Sequence, residues 1–264
     1  MSSTLLPAPE LDLRALMALP ESEWPDISHL VTEDDTPVDN VQQDLQQRLL
    51  AEPLESSWNP GVPFIVNTDV GVFDRVRPAV VVPDMLLALN VERRKDLDKK
   101  EGRSYFIWVY KKPPDVAVEI VSNTVGGEGE DDVKAKKYAK LGVPYYVVFD
   151  PFHCVNKELL IVYELQGQRY RHRKDNQLPD VKLKAVIWQG EFGGLYQKWL
   201  RWATPDGELI PRGIETAVKE RQLKKLEQQR ADKEKRRADR AEERASLLAE
   251  KLRSLGVADE DCEE

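Results

Sequence analysis

Cysteine is almost missing from this 264-residue chain: Cys154 and Cys262 are too few for a disulfide framework or a cysteine-built zinc site. Histidine is as scarce, and His29, His153 and His172 lie scattered outside any metal-ligand spacing. His153 and Cys154 follow an apolar run and read as surface turn residues. No window approaches the roughly eighteen apolar residues of a membrane span. The opening MSSTLLPAPELDLRAL has neither a basic stretch nor an apolar core, so no secretory signal is expected there. Also missing are a GxSxG elbow, a glycine-rich phosphate loop leading into Lys-Ser/Thr, and a GxGxxG after a strand. The one glycine cluster, GGEGEDD from Gly126, is too acidic to cradle phosphate. Hydrolysis through a Ser, Cys or His nucleophile has no support. What remains is the profile of a soluble, cytoplasmic protein.

Charge is present in quantity but unevenly. The chain carries a net −8. Residues 1–57 hold 2 basic and 12 acidic side chains, residues 58–212 hold 24 and 21, and residues 213–264 hold 13 and 14. The acid excess belongs to the leader, and the mildly basic middle permits contact with phosphates. These shifts divide the chain into an acidic leader (1–57), a central domain (58–212) and a charged C-terminal helix (213–264). In the leader, VDNVQQDLQQRLLAEPL sets Val41, Leu45, Leu49 and Leu50 at helical spacing, a face to dock on the middle region. Leu5 to Leu30 reads as a partly ordered arm.

The middle region is built of short β-rich runs: PFIVNTDVGVF, AVVVPDMLLAL, SYFIWVY, VAVEIVS, PYYVVFD and LLIVYEL. Between VAVEIVS and PYYVVFD lies DDVKAKKYAKLG, where Val133, Tyr138 and Leu141 share a helix face and Gly142 stops it. Strand, ten-residue helix, strand reads as a parallel β-α-β crossover, so the fold class is α/β with a mixed sheet flanked by helices. Residues 168–192 read as further strand and loop cover. After Gly213 there is no proline, and Ala231, Ala238, Ala245 and Leu252 recur every seven residues, with Ala241, Leu248 and Leu255 three after the later ones. That is one long helix, either a solvated one or a coiled coil through which the chain would form a homo-oligomer or meet a protein partner.

Two carboxylates stand where strands should be apolar: Asp84 in AVVVPDMLLAL and Glu119 in VAVEIVS. A buried acid costs several kcal/mol unless something pairs with it. Each, taken alone, is served by a nearby Arg or Lys or by water at a strand end. Taken together on adjacent strands they suit a hard divalent cation such as magnesium. Asp115 is a weaker partner for Glu119, because four residues along one strand put them about 13 Å apart; it reads as a strand-start residue after Pro113 and Pro114.

The run PPDVAVEIVSN, then DDVKAKKYAKLGVPYYVVFDP, with the earlier VVPDMLLAL, resembles the Uma-two-type restriction endonuclease family, a branch of the PD-(D/E)XK nuclease superfamily. The matching positions are Asp84, Glu119, Ser122, Asp131, Lys134, Tyr138, Gly142, Val143, Asp150 and Pro151, and the likeness covers roughly residues 60–165. The lysine expected two residues after Glu119 is Val121 here; in this branch the lysine sits on the following helix, which maps onto Lys134. The resemblance implies a restriction-endonuclease-like core and hydrolysis of DNA phosphodiesters, with Mg2+ or Mn2+ held by Asp84 and Glu119 and with Lys134 as the third catalytic residue. It also suggests, more weakly, Gln46 or Gln47 at the site. Arg93, Arg94, Lys99, Lys100 and Arg103 could hold the DNA backbone, although an ordinary charged loop is the preferred reading; Lys136 and Lys137 read as a solvated helix face. Two rivals share the fold: a catalytically silent interaction protein using its helical tail, and a nucleic-acid binder without cleavage.

Overall fold

The computed structural model describes residues 12–30, 40–78, 80–122 and 133–254. The GGEGEDD loop with Asp131, the residue Leu255 and the C-terminal Cys262 lie outside the described residues. In chain order the elements are helices α1 (Leu13–Ala18) and α2 (Val41–Ser57), strands β1 (Phe64–Asn67), β2 (Val72–Phe73) and β3 (Met85–Leu89), helix α3 (Lys100–Arg103), strand β4 (Tyr105–Phe106), helix α4 (Ile107–Tyr110), strand β5 (Val116–Ile120), helix α5 (Val133–Leu141), strands β6 (Tyr145–Phe149), β7 (Leu160–Gln166), β8 (Arg169–His172), β9 (Gln177–Leu178), β10 (Leu183–Phe192) and β11 (Leu195–Ala203), and helix α6 (Gly213–Ser254).

A mixed six-stranded sheet in the order β1-β3-β5-β6-β7-β8 forms the centre. Within it only β5 and β6 run parallel, and α5 connects them, as the strand-helix-strand pattern requires. Every residue of β3, β5 and β6 is buried, because the sheet is covered on both faces. On one side lie Leu50 and Leu54 of α2 with the β9–β10–β11 sheet; on the other lie Ala135, Tyr138 and Leu141 of α5. The α5 helix ends on Gly142 at φ +80°, with Gly142 N–H donating to Ala139 O and Val143 N–H to Tyr138 O. These two bonds form a Schellman stop, for which glycine supplies the left-handed residue.

The described parts of the leader, residues 12–30 and 40–57, pack into this body. Asn40 caps α2 by accepting from Gln43 N–H, and Leu45, Leu49, Leu50 and Leu54 are buried. Val41 departs from the expected face: it is 70% exposed, at the helix's first turn. Leu16, Ile27 and Leu30 pack with Phe73, Phe106 and Trp108. SYFIWVY also departs from expectation, being two strand residues followed by the single turn of α4, closed by Lys111 at φ 61°. Tyr105 through Trp108 are all buried, and a run buried all round carries no period that separates strand from helix.

The chain divides into two units, Met1–Gly213 and Ile214–Glu264. The second, taken by itself, is one helical run to Ser254 that buries no residue; Leu223, Leu226, Leu247, Leu248 and Leu252 are exposed. Among the described residues no helix is long and apolar enough to cross a membrane.

Candidate active site

Met85 pairs with Val118, Leu86 with Ala117 and Leu87 with Val116 in the antiparallel β3–β5 ladder. One step further, that register sets Asp84, just before β3, opposite Glu119 near the end of β5. Directly opposite residues share a sheet face with Cβ atoms about 5 Å apart. Asp84 is held at both oxygens: Oδ2 accepts from Ile120 N–H at 2.5 Å and Oδ1 from Gln43 Nε2 at 2.5 Å. Pro83 and Asp84 stand before the ladder starts, which frees Asp84 to receive a backbone donor from the neighbouring strand.

Glu119 is 1% exposed. Its Oε1 accepts from Tyr138 Oη at 2.5 Å and its Oε2 from Lys134 Nζ at 2.8 Å. Lys134 and Tyr138 are four apart on α5 and therefore lean the same way. The first turn of α5 thus puts an ammonium beside a carboxylate on the sheet beneath. The three residues singled out from sequence, Asp84, Glu119 and Lys134, come together at one point.

Electrostatics follow from the burial. Asp84's carboxyl is pushed up to about 8, first by desolvation and then by the charge of Glu119; the Ile120 N–H and Lys134 oppose the shift. Tyr138 is raised well above the ordinary phenol range, first by burial and then by Glu119, so it stays a donor. Two carboxylates facing each other in a buried site beside one ammonium do not both ionise readily, so Asp84 keeps its proton until about pH 8. That pair of carboxyl groups, an all-oxygen donor set, fits a hard divalent cation that displaces the proton. Among the described residues no group of three or more His, Cys, Asp and Glu is gathered for a metal. Asp84 and Glu119 would hold such an ion with two side chains, and water, backbone and substrate would complete its shell.

Other residues fall elsewhere. Gln46 bonds both ways to the backbone of Leu200, and Gln47 Nε2 donates to Asp69, so the leader glutamine on the cluster is Gln43. The signal for it is helical spacing: Gln43 and Gln47 lie one turn apart, and only the first turn of α2 reaches Asp84. Asp115, at the far end of β5, accepts from Leu89 N–H and Lys112 Nζ and pins the strand start. Asp150 is buried and accepts from the N–H groups of Cys154, Val155 and Asn156, closing the turn that carries His153. The basic stretch from Arg93 is engaged within the protein. Arg93 donates to Asn67 and Val66 O, Arg94 bonds Glu21 and Asp96, Lys100 donates to Ser28 O and Leu30 O, and Arg103 donates to Leu97 O and Asp98 O. Lys99 lies 3.6 Å from Asp96. The charged-loop reading fits these bonds.

The family model described as "Uma2: Putative restriction endonuclease" matches residues 33–187. A search of curated proteins returns no match. Among solved structures, the chain is similar to one described as a putative nuclease belonging to DUF820 from Anabaena variabilis ATCC 29413. The identity is 16% over 63% of this chain and 86% of that one, with a TM-score of 0.35.

Proposed function

The chain belongs to the Uma2 family of restriction-endonuclease type, and we propose that it hydrolyses phosphodiester bonds of DNA at the Asp84–Glu119–Lys134 cluster, with Mg2+ or Mn2+ held by Asp84 and Glu119. We assign the reaction to residues 58–212, with the acidic leader (1–57) bracing the site through α2 and the charged C-terminal segment (213–264), which carries α6, left for association. The single observation that carries this reading is the convergence of two buried carboxylates and an ammonium at one end of β5.

A divalent cation bound there neutralises phosphate charge and acidifies water. The chain's own residues do the rest. Lys134 Nζ offers three donors and is about a third exposed, so it can turn from Glu119 toward a phosphate oxygen and offset the charge that builds there as the bond breaks. Tyr138 and Gln43 are positioning residues: each fixes one carboxylate through a hydrogen bond. Burial of both acids keeps competing water from the carboxylates.

The test is cleavage of plasmid and oligonucleotide DNA with Mg2+ or Mn2+ by the parent and by Asp84→Asn, Glu119→Gln and Lys134→Met. Each variant should lose about 10²–10³-fold or more in rate while keeping its far-UV circular dichroism. Activity equal to the parent's in any of the carboxylate variants removes the site assignment. A parent silent on every DNA substrate with either metal removes the enzyme reading in favour of a scaffold protein.

A further inference from the structure

We propose that the cleft between α5 and β8, with the lysine face of α5 beside it, is a second phosphate-binding surface that holds the backbone of the DNA whose scissile phosphate reaches Glu119. The identity of the ligand rests on the nuclease reading above; the surface itself is independent of the reaction.

Helix α5, VKAKKYAKL, contains four lysines and no acid. Lys134 turns to Glu119, and Ala135, Tyr138 and Leu141 are buried in the sheet contact, which leaves Lys136, Lys137 and Lys140 exposed on the outside. Opposite them runs β8, the outermost strand of the six-stranded sheet, with Arg169 and Arg171 exposed and Tyr170 turned inward to donate to Val143 O. The small side chains of Ala135 and Ala139 leave an open cleft of about 360 Å³ whose rim is Lys136, Gln168, Arg169 and Arg171. Among the described residues no carboxylate lines it. The acid nearest in register, Glu164 opposite Arg171, is held by Arg173 Nη1 at 2.9 Å.

Three cations, Lys136, Arg169 and Arg171, thus line one cleft of a chain whose net charge is −8, and Lys137 and Lys140 are exposed on the same helix, so they are no by-product of a basic composition. Charged side chains on an edge strand guard it against pairing with other strands, and that accounts for the two arginines of β8. It does not account for three exposed lysines on the neighbouring helix or for a polar cleft between them. A polyanion with regularly spaced charges does. From β5 to β8 is three strand spacings, about 14 Å, and the ladders set Arg171 level with Val116, about 10 Å along the strand from Glu119, so the two places lie about 17 Å apart, the span of about five nucleotides at about 3.4 Å of axis per step. One strand of DNA can therefore touch both places, and Gln168 adds an uncharged donor to a phosphate oxygen.

The experiment compares the full-length parent with the quadruple variant Lys136→Gln, Lys140→Gln, Arg169→Gln, Arg171→Gln. Binding to two unrelated fluorescein-labelled DNA duplexes is read by anisotropy, with chelator present, at about 50 to 200 mM salt. The variant should bind both duplexes about tenfold or more weakly, and the slope of log K against log salt should fall by about two to three, near 0.9 for each phosphate that is no longer neutralised. All four residues are exposed, so the thermal melting point should not move. Equal affinity and equal slope in parent and variant overturn the proposal, and so does a parent that binds no duplex. Retained duplex binding with loss of binding to anionic lipid vesicles overturns it too, in favour of a membrane surface. Cleavage assays on the same proteins separate the two readings. A parent that cuts DNA with unchanged salt dependence in the variant keeps the nuclease and loses the cleft. A parent that binds through the cleft but cuts nothing keeps the cleft and loses the nuclease.

Discussion

Asp84 and Glu119 share one buried place, and that decides how each behaves with pH. A carboxyl raised to about 8 from an ordinary value near 3.9 binds a proton in the folded chain that the unfolded chain releases in between. Its contribution to stability is therefore full below about pH 4 and is lost as pH rises through about 8. In chelator, the melting temperature of the parent should fall between about pH 5 and 9, and that of Asp84→Asn should fall less. A parallel decline in both proteins would show that Asp84 does not titrate there. A cation must displace the same proton, so magnesium affinity measured by calorimetry should rise from about pH 6 to pH 9 and vanish in Glu119→Gln. Tyr138→Phe removes one donor from a buried carboxylate. It should cost about 1–3 kcal/mol in urea denaturation, and cleavage should weaken without disappearing because Lys134 still holds the other oxygen.

Among the elements, the β5–α5–β6 crossover matters most, since it carries Glu119, Lys134 and Tyr138 in one short piece of chain. The Gly142 stop fixes where α5 ends and so which of its residues face the sheet. The turn after β6 has its own support in Asp150, which takes three backbone N–H groups at 2.8 Å each. Asp150→Ala should cost about 3 kcal/mol or more in stability, because three donors lose a charged acceptor at once. Cleavage per folded molecule should remain, as Asp150 takes no part in the Asp84–Glu119 cluster. A variant as stable as the parent would mean that water replaces the carboxylate. Where a short element departs from expectation, as in SYFIWVY, burial on all sides erases the alternation that marks a strand.

At the scale of the whole molecule, the hydrophobic clusters draw on residues from Leu13 to Ile210, and α6 contributes no buried side chain. A chain ending at Gly213 should therefore melt within about 2 °C of the parent by calorimetry. A large drop would assign α6 a structural role. If the exposed leucines of α6 pair with a second copy, sedimentation should show the full-length chain heavier than a monomer and the truncated chain as a monomer. Two monomers would leave α6 a solvated helix.

The strand-helix-strand order, the helices at 41–57 and 133–141, the long charged helix after 213 and the two misplaced carboxylates are all legible in the sequence. Periodicity, glycine stops and an acid inside an apolar run are local signals, and local sterics and desolvation create them. Tertiary structure decided the rest. Ladder register made Asp84 the partner of Glu119, and the reach of α2's first turn chose Gln43 over Gln46 and Gln47. The same structure spent the basic loop at 93–103 on internal bonds and left the lysines of α5 exposed beside an edge strand. Such outcomes depend on which distant groups meet across a sheet, and neither spacing nor composition along one stretch of chain encodes that meeting.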